Sequence, residues 1–146
     1  MIHQFFRAFG KGLAFLALVA LSSAAARADD QERMQGTWKA THAQIGSKQA
    51  TPAQLKKIEV MIEGDKLTLV EPEKKYVVHF TLTSGGKPGV VEFFKTSDKK
   101  ERIWHGIYEF DGKELKLCWA PAAHDRPTKF GTTKHNDDRY FKFVKK

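Results

Sequence analysis

A single cysteine, Cys118, in 146 residues excludes an internal disulfide, so stability has to come from the core alone. No apolar run reaches the roughly 20 residues that a bilayer-spanning helix needs. No two histidines stand in H-x-H or H-x-x-x-H spacing, no serine lies in a G-x-S-x-G elbow, and no segment repeats or falls into low complexity. Disulfide scaffolds, solenoids and the α/β-hydrolase nucleophile are therefore excluded, and neither a strand nor a helix presents two histidines together to a metal.

What is present begins with an export signal. Arg7 and Lys11, with His3, make a basic start; Leu13 to Leu21 form a short apolar core; Ala26, Arg27, Ala28 supply a small-residue cleavage site. Residues 1–28 are expected to be removed, leaving residues 29–146 as one domain with room for a core but not for a second domain. No cysteine stands at the cleavage point for a lipid anchor, and no adjacent arginine pair marks the twin-arginine route. The leader takes Arg7, Lys11 and Arg27 with it, leaving 22 basic against 17 acidic side chains. The excess is small and interleaved with acids, as at Lys95, Asp98, Lys99, Lys100, Glu101 and Arg102; solvated, lysine-protected strand edges account for it better than a nucleic-acid surface.

The domain reads as short strands. Asp29 to Gln35 is a polar lead-in, and an alternating run opens at Gly36, Thr37, Trp38 and continues to about Gln44. Thr51, Pro52 and Gln54 make a capping box for about two turns of helix ending near Lys57. Period two then dominates: Ile58, Val60 and Ile62; Leu67 and Leu69 after a Gly64, Asp65 turn; Tyr76, Val78, Phe80 and Leu82; Val91 to Thr96; Ile103 to Phe110; Leu115, Leu117 and Trp119 after the Asp111, Gly112 hairpin signal; and Arg139 to Val144. Eight strands with tight turns and inward aromatics predict an all-β, eight-stranded antiparallel barrel with one short helix after the first strand, since closure removes exposed edges. A two-sheet sandwich is the competing arrangement.

Gly36, Thr37, Trp38 resembles the G-x-W opening of a lipocalin barrel. That likeness implies that Trp38 closes one end and is covered by an arginine near the last strand, for which Arg139 is the candidate; the alternative is a core tryptophan and a solvated arginine. More of the chain resembles a family of small secreted lipocalin-like domains expanded in planctomycete bacteria, without an established activity. The matching pieces are Gln35 to Trp38; Leu55 and Lys56; Gly64 to Leu67; Gly106 to Tyr108 with Asp111 and Gly112; and Leu115, Leu117 to Pro121, followed by Asp125 to Thr128 and Phe130. The second lipocalin motif and the usual disulfide are missing, so the resemblance carries no ligand class.

Catalytic groups are sparse. Cys118 points away from the face shared by Leu117 and Trp119 and has no neighbouring base to activate it. No cofactor and no metal site is expected, and no catalytic residue is assigned. The expected function is an exported, periplasmic or extracellular, monomeric binding module for a small apolar or amphipathic ligand or an extracytoplasmic partner. Its inward residues Tyr76, Phe80, Phe93, Trp104, Tyr108 and Trp119 would line the mouth, though so many large aromatics favour a filled interior with a small cavity. A protein-interaction barrel of the protease-inhibitor type is the alternative, and an enzyme ranks below both. The long loop from Ala122 to Asn136 holds Arg126, Pro127 and Phe130, tools of a packed loop. It is expected to fold over one end of the barrel, with Arg126 bound to an acidic partner group or to the barrel's own carbonyls. Intact-mass measurement of exported protein is expected to find a chain beginning at Asp29; material that keeps residues 1–28 would overturn the leader assignment.

Overall fold

The computed structural model describes residues 25–84, 87–132 and 137–146. The apolar core of the expected leader, Gly85 and Gly86, and His135 and Asn136 lie outside the described residues. The strands are β1 (Gly36–Ile45), β2 (Lys48–Gln49), β3 (Glu59–Glu63), β4 (Lys66–Val70), β5 (Lys75–Ser84), β6 (Gly89–Phe94), β7 (Arg102–Asp111), β8 (Glu114–Pro121) and β9 (Arg139–Lys145). Each of β3 to β8 pairs antiparallel with the next, and β1 pairs with both β3 and β9. The sheet thus closes into an eight-stranded antiparallel barrel, and the sandwich arrangement is excluded. β2 is a two-residue addition on the outside of this count, paired with the end of β1 through Gln44 and Ile45.

The alternating positions turn inward as the period of two requires. Val60, Ile62, Leu67, Leu69, Val78, Phe80, Val91, Phe93, Leu115, Leu117, Phe141 and Phe143 are all buried in one cluster. Filling by aromatics demands space elsewhere, and glycine supplies it. A Cβ on Gly106 would stand 2.0 Å from the Cys118 carbonyl oxygen on β8, and one on Gly89 would stand 2.3 Å from the Tyr108 ring. Tyr108 therefore lies flat over its β6 neighbour, with which it is also in register.

One end of the barrel is closed by a segment that the sequence presents only as a polar lead-in. Residues 25–33 are helical, here called α1, and Ala, Arg, Gln and Glu are good helix formers. Met34 behind α1 is 2 % exposed, and the Trp38 indole N–H donates to its carbonyl at 2.9 Å. The Tyr108 hydroxyl donates to the Asp30 carboxylate at 2.7 Å, and the Arg33 guanidinium lies 4.1 Å above the Phe110 ring. Gln35 accepts from the Gly64 amide and donates to the Gly64 carbonyl, tying the segment to the β3–β4 turn. The expected cleavage point after Ala28 falls inside α1, and Asp30, Arg33 and Met34 all lie on its downstream side.

Trp38 is the floor of this end, but Arg139 does not cover it. Trp38 is in register with Lys145, whose ammonium sits 5.2 Å from the ring, whereas Arg139 pairs with Ile45 and Trp119 at the far end of β9. Arg139 does share a face with Phe141 and Phe143, as the alternation requires; β9 runs the length of the barrel, so its first and last residues reach opposite mouths. The second helix, α2 (Pro52–Leu55), carries the capping box and the proline start but makes one turn rather than two. Truncating Trp38 removes a buried indole, its hydrogen bond to Met34 and its cation contact. Trp38→Ala is expected to lower unfolding free energy in urea by about 3–5 kcal/mol, and a loss below about 0.5 kcal/mol would show that this end is not held by the tryptophan.

Candidate functional site

The end opposite α1 is built differently. Not all of the six expected mouth residues lie there, since Tyr108 reaches α1 at the other end, and the six divide into two groups. Phe80, Phe93, Tyr108 and Trp119 are at most 2 % exposed and belong to the packed interior, while Tyr76 and Trp104 are only partly buried. The rings contact one another in series: Tyr76 meets Trp104 edge-on at 5.6 Å, Trp104 stacks on Trp119 at 5.5 Å, and Trp119 stacks on Phe141 at 5.2 Å. Phe93 packs on both tryptophans. These side chains fill the barrel. The interior is therefore a core, and a ligand pocket has to be sought at the rim.

A groove of about 470 Å³ lies at that rim, lined by Ile45, Lys48, Gln49, Ala50, Gln54, Ile58, Glu71 and Pro72. Local sequence explains each wall. The Gly46 turn at positive φ returns the chain so that β2 pairs on β1, and the Ala50 amide donates to the Ala43 carbonyl at 2.8 Å. The capping box then fixes α2: Thr51 Oγ1 accepts from the Gln54 amide while Gln54 Oε1 accepts from the Thr51 amide. Ile58, 2 % exposed, forms the apolar floor. The opposite wall is the β4–β5 turn, where Pro72 cannot continue the ladder and the Glu71 amide donates to the Lys74 carbonyl at 2.8 Å.

That turn places a carboxylate where an apolar side chain would be expected. The Glu71 side chain is 10 % exposed, and its Oε1 is buried without a hydrogen bond. Its nearest cation is Arg139 Nε at 3.9 Å, too far for a hydrogen bond. In sheet order β3 and β1 separate the strands that carry these two residues, so the pair reaches across the mouth. Burial pushes the Glu71 carboxyl above its ordinary value, against the pull of Arg139 and Lys74. Close by in the interior, in register with Arg139, the Trp119 indole N–H also has no acceptor among the described residues.

The long loop after β8 takes a different place from the one its composition suggests. Its described part, residues 122–132, straps the outer wall of β6 to β9 rather than covering an end of the barrel. The Ala122 amide donates to Ile103, His105 Nε2 contacts the His124 carbonyl at 2.6 Å, and Phe130 packs on Tyr140 with ring centres 6.0 Å apart. Arg126 Nη2 donates at 3.1 Å to Glu92, which also accepts from Arg102 Nη1 at 2.9 Å. Arg126 thus binds the barrel's own carboxylate rather than a carbonyl, because Glu92 points outward from β6 between the inward Val91 and Phe93. Pro127 follows it in the same strap and lines a shallow surface hollow with Arg126, Thr128 and Lys129.

Cys118 lies under that strap, 0 % exposed, with Ile107, Tyr140 and Phe130 around it. Its thiol donates to the Gly131 carbonyl at 3.1 Å, and burial pushes it up from its ordinary value. Burial holds it as a thiol. Among the described residues no group of three or more His, Cys, Asp or Glu side chains is placed to hold a metal. His79 on β5 faces Asp65 at 3.6 Å, and Lys99 meets the same carboxylate at 3.0 Å, holding it below the usual range. No helix among the described residues is long and apolar enough to cross a membrane.

Comparison with protein-family models, with curated proteins and with solved structures finds no match. The site is defined by its own geometry. Sequence reading passes over Glu71 because Glu71, Pro72, Glu73 is an ordinary strand-ending turn; the only signal is a carboxylate directly after the apolar Leu69 and Val70.

Since the folded state raises the Glu71 pKa, ionised Glu71 costs stability. That cost is absent below its ordinary value of 4.5, where folded and unfolded chains are both protonated, and grows as pH rises through the folded value. Glu71→Gln keeps the shape without the charge. It is expected to raise the urea midpoint at about pH 7 and to leave it nearly unchanged at about pH 4; a variant less stable than the wild type at pH 7 would show that the Arg139 pair outweighs burial.

Proposed function

We propose that the chain is an exported, non-catalytic binding module of the lipocalin-like kind, and that it takes a small amphipathic molecule in the groove between α2 and the β4–β5 turn rather than inside the barrel. The observation that carries this reading is the buried, hydrogen-bond-free Glu71 carboxylate in the wall of that groove. A polar group that burial destabilises persists where a partner satisfies it, and small-molecule sites combine an apolar lining with a few such groups. Ile45, Ala50, Ile58 and Pro72 supply the lining, and Lys48 and Gln49 stand at the lip.

Two further features support a binding role over chemistry. The thiol is sealed, and the carboxylate in the groove has an arginine beside it instead of a nucleophile. Secretion and kinship with the planctomycete domains rest on the leader and on the sequence pieces quoted for them. The same reading makes the protein a monomer whose mature form keeps Asp30 to Met34 as the plug of the other end.

The neutral fluorophore N-phenyl-1-naphthylamine tests the site. It is expected to brighten on binding at one equivalent per chain, and Ala50→Trp, which fills the groove, is expected to abolish this while leaving the unfolding temperature within a few degrees. Enhancement that survives Ala50→Trp, or none with the wild type, would overturn the assignment.

A further inference from the structure

The polar groups of the groove define the head of its ligand, an argument that rests on the binding role proposed above. Glu71 Oε1 is a buried acceptor with no donor. Arg139 is 3.9 Å away and comes from β9, Lys74 acts on the same carboxylate from its own turn, and Lys48 lines the groove, so the carboxylate has cations around it but no hydrogen bond. A ligand ammonium would be drawn to Glu71 and repelled by Arg139 and Lys48. A ligand carboxylate would be drawn to those cations but would set an acceptor-only oxygen against an unsatisfied acceptor. An ether or ester oxygen offers Glu71 nothing. A hydroxyl or amide N–H gives the Glu71 carboxylate a donor without adding charge, and hydrogen bonds to an ionised acceptor are about twice as strong as neutral ones.

From this we infer that the groove selects neutral amphipathic molecules that carry a hydrogen-bond donor, such as long-chain alcohols, monoacylglycerols or primary amides, with the head donating to the Glu71 carboxylate and the chain lying against Ala50, Ile58 and Pro72. Selectivity comes from the missing donor on the protein side. Apolar area alone would favour whichever molecule is least soluble in water.

1-Nonanol and methyl octyl ether separate these two sources of affinity, because they are isomers that differ in having the donor, and the ether is the less water-soluble. Displacement of bound N-phenyl-1-naphthylamine from the wild-type protein is expected at a concentration of the alcohol about tenfold lower than of the ether. Nonylammonium is expected to be at least tenfold weaker than the alcohol. In Glu71→Leu the alcohol should lose its advantage and the ratio fall to about one. Glu71→Gln, which keeps a weaker acceptor at the same place, should give a ratio between the two and reports on the site if the leucine variant does not fold. Equal displacement by alcohol and ether in the wild type, a ratio unchanged in Glu71→Gln, or an ammonium as strong as the alcohol would overturn the donor rule while leaving the groove as a binding site. Loss of the fluorophore site itself would overturn both.

Discussion

The pairing of β1 with β9 governs the rest of this molecule. Seven registered pairs join Trp38 to Lys145 through Ile45 to Arg139, with one irregularity between Ala40 and His42. Once that seam is made, the interior has a fixed width, and every inward side chain has to fit its neighbours across the axis. The chain meets this constraint with large rings at Phe93, Trp104, Trp119, Phe141 and Phe143, and with no side chain at all at Gly106, where the β8 backbone comes too close for even a methyl group. The seam also decides which residues can meet: a lysine at the end of β9 reaches the tryptophan at the start of β1, and an arginine at the start of β9 cannot.

A filled barrel has consequences for where a ligand goes. With the axis occupied, the places left are the two mouths and the outer wall, and one mouth and part of the wall are already covered. α1 and Met34 occupy one mouth, and the strap from Ala122 to Thr132 lies on the wall, closing over Cys118 and held by the Arg126–Glu92 contact. The remaining mouth is the one whose rim carries an unsatisfied acid. Stability and binding oppose each other there, since the carboxylate that would recognise a donor is the same one that burial penalises.

The strand pattern was legible because a half-buried strand repeats every two residues, and Val60, Leu69, Phe80, Phe93, Leu117 and Phe141 follow that period without error. Closure was legible from strand number and turn length. Four things were not. The helix at residues 25–33 is hidden by its overlap with the expected leader and cleavage site, whose small and polar residues are also helix formers. The cation over Trp38 depends on strand register, and register across the β1–β9 seam is set by packing between segments about a hundred positions apart. The strap was recognised as packed, from its Arg, Pro and Phe, but its direction depends on the outward-facing Glu92 and Tyr140, which carry no mark in the local sequence. Glu71 was read as punctuation for the same reason: a carboxylate in a turn is nearly always in water, and only the fold puts this one out of it.

The sealed thiol gives the barrel an unusual relation to oxygen. While the strap is down, Cys118 is both inaccessible and held in its unreactive form, so the folded chain is indifferent to oxidants that would couple a surface thiol. Opening the strap exposes one sulfur per molecule with no second cysteine in the chain to capture it. Any disulfide formed by an unfolding molecule is therefore a bond to another molecule. In air, unfolding that is reversible for a single chain becomes a route to linked pairs, and the temperature at which the strap lifts sets the shelf life of the protein.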